Sequence, residues 1–211
     1  MDSSTSKEQV LRKIRKALLE KHENPYPKLE EQPLYPPLEQ DPVVEFAEQF
    51  TTAAGQFVFC EDELQFIENL LILAEKKSWR KIYCWEDPLK ELLNRFEYPF
   101  YETDKDFEKA EVGITLCEAL VARNGNVLVS NANLAGRRLS IYPEVHIVLA
   151  YTSQMVVDIK DAFALIRTKY ERRIPSMLSF ITGPSRTADI EKTLVMGAHG
   201  PKELYVFLLE G

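Results

Sequence analysis

Cysteine and histidine are scarce, with three of each in 211 residues. Cys60, Cys84 and Cys117 lie far apart, without the close pairing that a zinc site or an iron–sulfur cluster normally shows. The histidines show no paired spacing either. The chain is therefore expected to carry no metal and no cofactor of its own, its thiols acting as small buried hydrophobes. Long apolar runs are missing too: none approaches the roughly 20 residues that span a bilayer. The start, Met1 to Ser6, is polar and leads into a basic helix rather than a signal peptide. A cytoplasmic protein without membrane attachment is expected. Positive charge is in deficit: 26 basic against 33 acidic residues give a net charge of −7. That excludes a generic nucleic-acid surface, which needs positive potential on its contact face. Neither Gly-x4-Gly-Lys-Ser/Thr nor GxGxxG occurs, so no standard phosphate loop is written here.

What is present reads as one α/β domain with an appendage. Residues 5–22 carry overlapping capping boxes, Thr5/Glu8 and Ser6/Gln9, and an apolar stripe of Val10, Leu11, Ile14, Ala17 and Leu18. Six basic residues against two acidic ones from Lys7 to Lys21 make this helix a candidate for docking on its own domain or on a sister subunit. Residues 24–42 hold six of the twelve prolines and read as an extended linker. The expected division is thus 1–42, helix and linker, and 43–211, the α/β domain.

Within that domain the spacing predicts a helix from Val43 to Ala54, a strand over 56–60, and a helix capped by Asp62. A strand over 81–85 and a helix opening at Asp87-Pro88 follow. Strand–helix repetition points to a largely parallel, doubly wound sheet. Asn124-Gly125 between two apolar runs predicts an antiparallel hairpin over about 119–130 that interrupts it. Strands at 145–150, 177–181 and 205–209 and a helix over 158–170 complete the domain. The stretch Gly183 to Gly197 reads as a turn and a short helix, which sets Ser185, Arg186 and Thr187 at the carboxyl edge of the sheet.

Two readings of that turn stay open. Its free N–H groups, two hydroxyls and the Arg186 fork suit a small anion; the same residues also make an ordinary capped helix. His199, in Gly197-Ala-His-Gly-Pro201, and Glu118, after Gly113-Ile-Thr115, are the candidates for acid–base work, and no nucleophile–base–orienter set is legible. Arg137 and Arg138 end an Asn-rich loop and can grip a carboxylate or a phosphate. His146 lies within an apolar strand and reads as a satisfied core residue.

Gly113-Ile-Thr, Cys117-Glu-Ala-Leu-Val-Ala-Arg123, Arg137-Arg-Leu-Ser140, Val145-His-Ile-Val148, Ile181-Thr-Gly-Pro-Ser-Arg-Thr-Ala-Asp-Ile-Glu191 and Gly197-Ala-His-Gly-Pro201 together resemble the LUD domain family, in its lactate-utilization-protein-C branch. The resemblance covers about 112–211 closely and the region from Val43 loosely. It implies a Rossmann-like fold of the NagB/RpiA/CoA-transferase-like superfamily. It also implies a role beside two iron–sulfur subunits in oxidising L-lactate to pyruvate, with the clusters in those partners and a small carboxylate or anionic cofactor bound here. The competing expectations are a stand-alone enzyme acting on CoA esters or sugar phosphates, and a non-catalytic assembly or regulatory module, with homo-oligomers possible.

Overall fold

The computed structural model describes residues 5–19, 35–133, 135, 138–190, 193–197 and 199–211, with 187–190 and 193–196 as backbone alone. It forms two compact units, Met1–Pro37 and Leu38–Gly211. In the first, helix α1 (Ser6–Leu19) buries no residue, and its start is the predicted box: Thr5 N donates to Glu8 Oε2 at 2.8 Å and Glu8 N to Thr5 Oγ1 at 3.4 Å. Residues 20–22 of the expected helix and the linker prolines 25, 27 and 33 lie outside the described residues.

The second unit opens with α2 (Pro42–Thr52), whose Asp41 cap accepts from Val43 N at 2.8 Å. Next come β1 (Gln56–Cys60), α3 (Glu63–Lys77), β2 (Ile82–Cys84), α4 (Asp87–Arg95) and β3 (Val112–Leu116). The chain continues through β4 (Ala119–Val121), β5 (Asn126–Ser130), β6 (Val145–Tyr151), β7 (Met155–Val156) and α5 (Ile159–Tyr170), then β8 (Leu178–Ile181), β9 (Arg186–Ile190), β10 (Thr193–Met196) and β11 (Glu203–Leu209). Five strands pair in the order β1-β11-β6-β3-β2, all parallel.

Alternation along these buried strands supplies two cores, because successive side chains point to opposite faces. On one face Ile114, Ile147, Leu149 and Phe207 meet Phe66 and Leu70 of α3 and Leu89 and Leu93 of α4. On the other, Val148, Ala150, Val206 and Leu208 meet Phe46 and Phe50 of α2 and Leu120, Val127 and Val129 of a second sheet. That sheet, ordered β7-β4-β5-β8, packs Ala119, Val121 and Leu128 against Ala162 and Ile166 of α5.

The mixed α/β class with a mostly parallel sheet is as expected, but the winding is not. One face of the parallel sheet is covered by α2 and a whole second sheet rather than by helices alone. The hairpin at Asn124-Gly125 forms as predicted, yet it seeds that second sheet instead of interrupting the first. Its β4 and β5 are buried on both faces, so they can only be sandwiched between layers. Gly125 takes φ +59°, and a Cβ there would come within 2.4 Å of Phe50 N, so turn and close approach both require glycine.

The expected helix after Gly183 is corrected outright. Arg186–Ile190 and Thr193–Met196 form an antiparallel hairpin, pairing Met196 with Arg186. Thr187, Ile190, Thr193 and Val195 are β-branched, and that preference prevails over the weak helical stripe.

Candidate functional site

In parallel sheets ligands sit beyond the carboxyl ends of the strands. Here those ends are already supplied with acid: Asp62 caps α3, and Glu86-Asp87 opens α4 directly after β2. Glu86 is only 4% exposed. Its Oε2 accepts the Leu116 N–H at the end of β3, and the Asn133 side chain also bonds it. Among the described residues no cationic side chain bonds to it. Burial lifts its pKa from 4.5 to about 7, the two hydrogen bonds and distant Lys169 only partly offsetting this, while Glu118 adds repulsion. Glu86, Asp87, Pro88, Leu116, Ala132 and Asn133 line a cavity of about 250 Å³.

A neighbouring cavity of about 460 Å³ is lined by Trp85, Lys90, Glu102, Thr103, Asp104 and Arg138. Lys90 joins the two, its Nζ lying 2.8 Å from Asp87 and 3.7 Å from Glu102. The Arg138 guanidinium lies over the rings of Trp85 (5.0 Å) and Phe107 (4.6 Å), an arrangement that fixes its plane. Its contact with Asp104 is loose, at 3.7 Å, and its side chain is 48% exposed, so its outer edge can take another partner. Arg137 lies outside the described residues.

Glu118, 2% exposed, is the hub of a third cluster at this edge. Ser130 Oγ (2.6 Å), Tyr170 OH (2.8 Å) and Lys169 Nζ (2.7 Å) all donate to it. Burial pushes its pKa up, but these three donors outweigh burial and hold it below the usual value. It is a fully engaged carboxylate, suited to pinning α5 to the second sheet rather than to exchanging protons.

The other nominated residues stand at the opposite edge. Ser185 N donates to Pro201 O at 2.8 Å and Lys202 N to Glu144 O at 2.7 Å, just before β11 and β6 begin, so this turn lies at the amino edge and not the carboxyl edge. No helix starts there, which removes the dipole that favoured an anion at Ser185, Arg186 and Thr187. Arg186 is exposed and donates to Ala53 O at 2.8 Å; the Thr187 side chain lies outside what is described. Ser185 and His199 do share a cavity. His146 is buried as expected but only half satisfied. One ring nitrogen lies 2.9 Å from Thr115 Oγ1, Nδ1 has no partner among the described residues, and burial lowers its pKa to about 3.

The family model for the LUD domain matches residues 43–209. The chain belongs to the LUD domain family. Relatives include lactate utilization protein C of Geobacillus sp. (strain WCH70), 34% identical over 68% of each chain. The protein of that name from Halalkalibacterium halodurans is 34% identical over 65% of this chain and 64% of its own, and that from Bacillus subtilis is 37% identical over 51% and 46%. These matches span between about half and two thirds of the relatives' length. A crystal structure of a DUF162 family protein from Deinococcus radiodurans superimposes with a TM-score of 0.56 at 17% identity, over 82% of this chain and 99% of that one; it shows the shared fold.

In this LUD domain the thiols do not fit a cluster. Cys60 and Cys84 are buried in one core and Cys117 in the other. Burial raises the thiol pKa of Cys84 to about 12 and pushes Cys117 higher still. No group of three or more His, Cys, Asp or Glu among the described residues is placed to hold a metal ion. Sequence reasoning nominated Glu118 and Arg138 and passed over Glu86, Asn133, Ser130, Lys169 and Tyr170. The signal available for Glu86 was its position, an acid directly after a strand end.

Proposed function

We propose that this chain is a subunit of an L-lactate-oxidising system, working beside two iron–sulfur subunits, and that its two adjoining carboxyl-edge cavities hold the hydroxy acid. The name shared by its relatives supports the lactate role. The observation that carries the site is Glu86, a buried carboxyl group with no cationic partner among the described residues, titrating near neutrality in a cavity wall. Catalytic bases are poised near the working pH in just this way.

Arg138 takes the substrate carboxylate on its free edge, a match of planar fork to carboxylate. Glu86 in its ionised form takes the hydroxyl proton. Oxidation of the secondary alcohol to the ketone releases two electrons and two protons. One proton goes to Glu86 and the other to solvent, while the clusters of the iron–sulfur partners would supply the electron acceptor. Repulsion between the substrate and the acidic edge is limited, since Asp87 is paired with Lys90 and Glu118 with Lys169. The test is lactate-dependent dye reduction by the co-purified system, with and without this chain. Complete activity without the chain, or with Glu86→Gln in it, would sink the reading.

A second reading, a non-catalytic assembly module, draws on α1, where Val10, Leu11, Ile14, Leu18 and Leu19 are exposed beside basic residues. Under it, Lys13→Glu with Arg15→Glu abolishes partner binding while Glu86→Gln is silent.

A further inference from the structure

The cavity at the amino edge has a chemistry of its own. It measures about 270 Å³, and its walls include Ser140, Ile141, Phe180, Thr182, Ser185 and His199. Among the described residues no acidic side chain lines it. Ser140 is 6% exposed, and its hydroxyl makes no hydrogen bond among the described residues. The side chains of Ser185 and His199 are equally unengaged there, whereas the Thr182 hydroxyl is spent on Asn126 Oδ1 at 2.8 Å.

The donors are held in place. Ser185 is fixed by its own backbone, N to Pro201 O at 2.8 Å and O from Gly197 N at 2.9 Å. Gly200 presses so close that a Cβ there would lie 3.2 Å from Ser185 Cβ. The nearby long cations do not contribute: Arg186 is bonded to Ala53 O, and Lys202 is paired with Glu144 at 2.6 Å. Among the described residues that leaves three hydroxyls, of Ser140, Ser179 and Ser185, and one imidazole, a set suited to a single negative charge, beside the apolar surfaces of Ile141 and Phe180. A dianion such as phosphate finds too little positive charge among the described residues, and an uncharged apolar molecule leaves the hydroxyls unpaired.

We propose that this cavity is a second binding site, distinct from the carboxyl-edge site, for a small monocarboxylate. Ser140 and Ser185 donate their hydroxyls and His199 its ring N–H to the carboxylate, with a short alkyl group against Ile141 and Phe180. The proposal does not depend on the role given to Glu86.

The test is a titration of the full chain with propionate and, separately, inorganic phosphate, followed by amide NMR shifts and calorimetry. Propionate is expected to shift Ser185 and Gly200 saturably, with Ser140→Ala and Ser185→Ala each weakening the binding read at those amides about tenfold. Phosphate is expected to bind at least about tenfold more weakly. No saturable shift at Ser185 and Gly200, or binding indifferent to both serine variants, overturns the site. Phosphate binding as tightly as propionate overturns the ligand class.

Discussion

Replacing Glu86 by glutamine removes a titration that the fold holds far from its ordinary range. The folded group ionises near pH 7 and the unfolded one near 4.5. Between those values the native state binds the extra proton, so this group erodes stability as pH rises from about 4.5 to about 7, and no further above that. One pKa unit corresponds to about 1.4 kcal/mol, so the full displacement amounts to about 3 kcal/mol. The amide in Glu86→Gln is neutral throughout, and its carbonyl oxygen can still accept from Leu116 N–H. The stability difference, variant minus parent, is therefore expected to climb by about 3 kcal/mol from pH about 4 to pH about 8, whatever constant offset the substitution brings. Urea unfolding followed by circular dichroism at several pH values reads it directly. A difference that stays flat across that range would refute the claim that burial perturbs Glu86.

His146 acts on the acid side. Its folded pKa, about 3, lies below the ordinary 6.5, so stability falls as pH drops below about 6.5, and His146→Gln should gain about 2 kcal/mol on its parent between pH about 7 and pH about 5 in the same unfolding series. Glu118→Gln breaks a buried hub with three donors; a loss of about 3 kcal/mol is expected by urea unfolding, and Glu118→Ala should be no less damaging. Arg138→Lys keeps the charge but loses the planar stack on Trp85 and Phe107; steady-state kinetics of the assembled system should show KM for lactate raised about tenfold with kcat changed less.

The sequence made most of this domain legible because periodicity reports burial, and burial decides these strands and helices. Asp62 and Asn124-Gly125 marked their ends for local reasons. The segment 186–196 misled because its spacing suits two periods at once; its pairing with itself, not its apolar stripe, settles the matter. Glu86 was marked in the sequence only by its place after a strand end. Its burial and its bond to Leu116 come from a strand thirty residues on, and nothing near Glu86 in sequence announces them. Lys169 and Tyr170 likewise reach Glu118 from about fifty residues away. Ser185 and His199 were expected at opposite ends of a helix; the segment is a hairpin instead, and the two line one cavity.

The most direct test of the central claim is the pH profile of lactate-dependent electron transfer by the assembled system, with this chain as parent or as Glu86→Gln. A base titrating near neutrality predicts a parent rate that rises with pH through about 7 and a variant rate lower by about a hundredfold or more, without that inflection. Equal rates and superimposable profiles in parent and variant would contradict it.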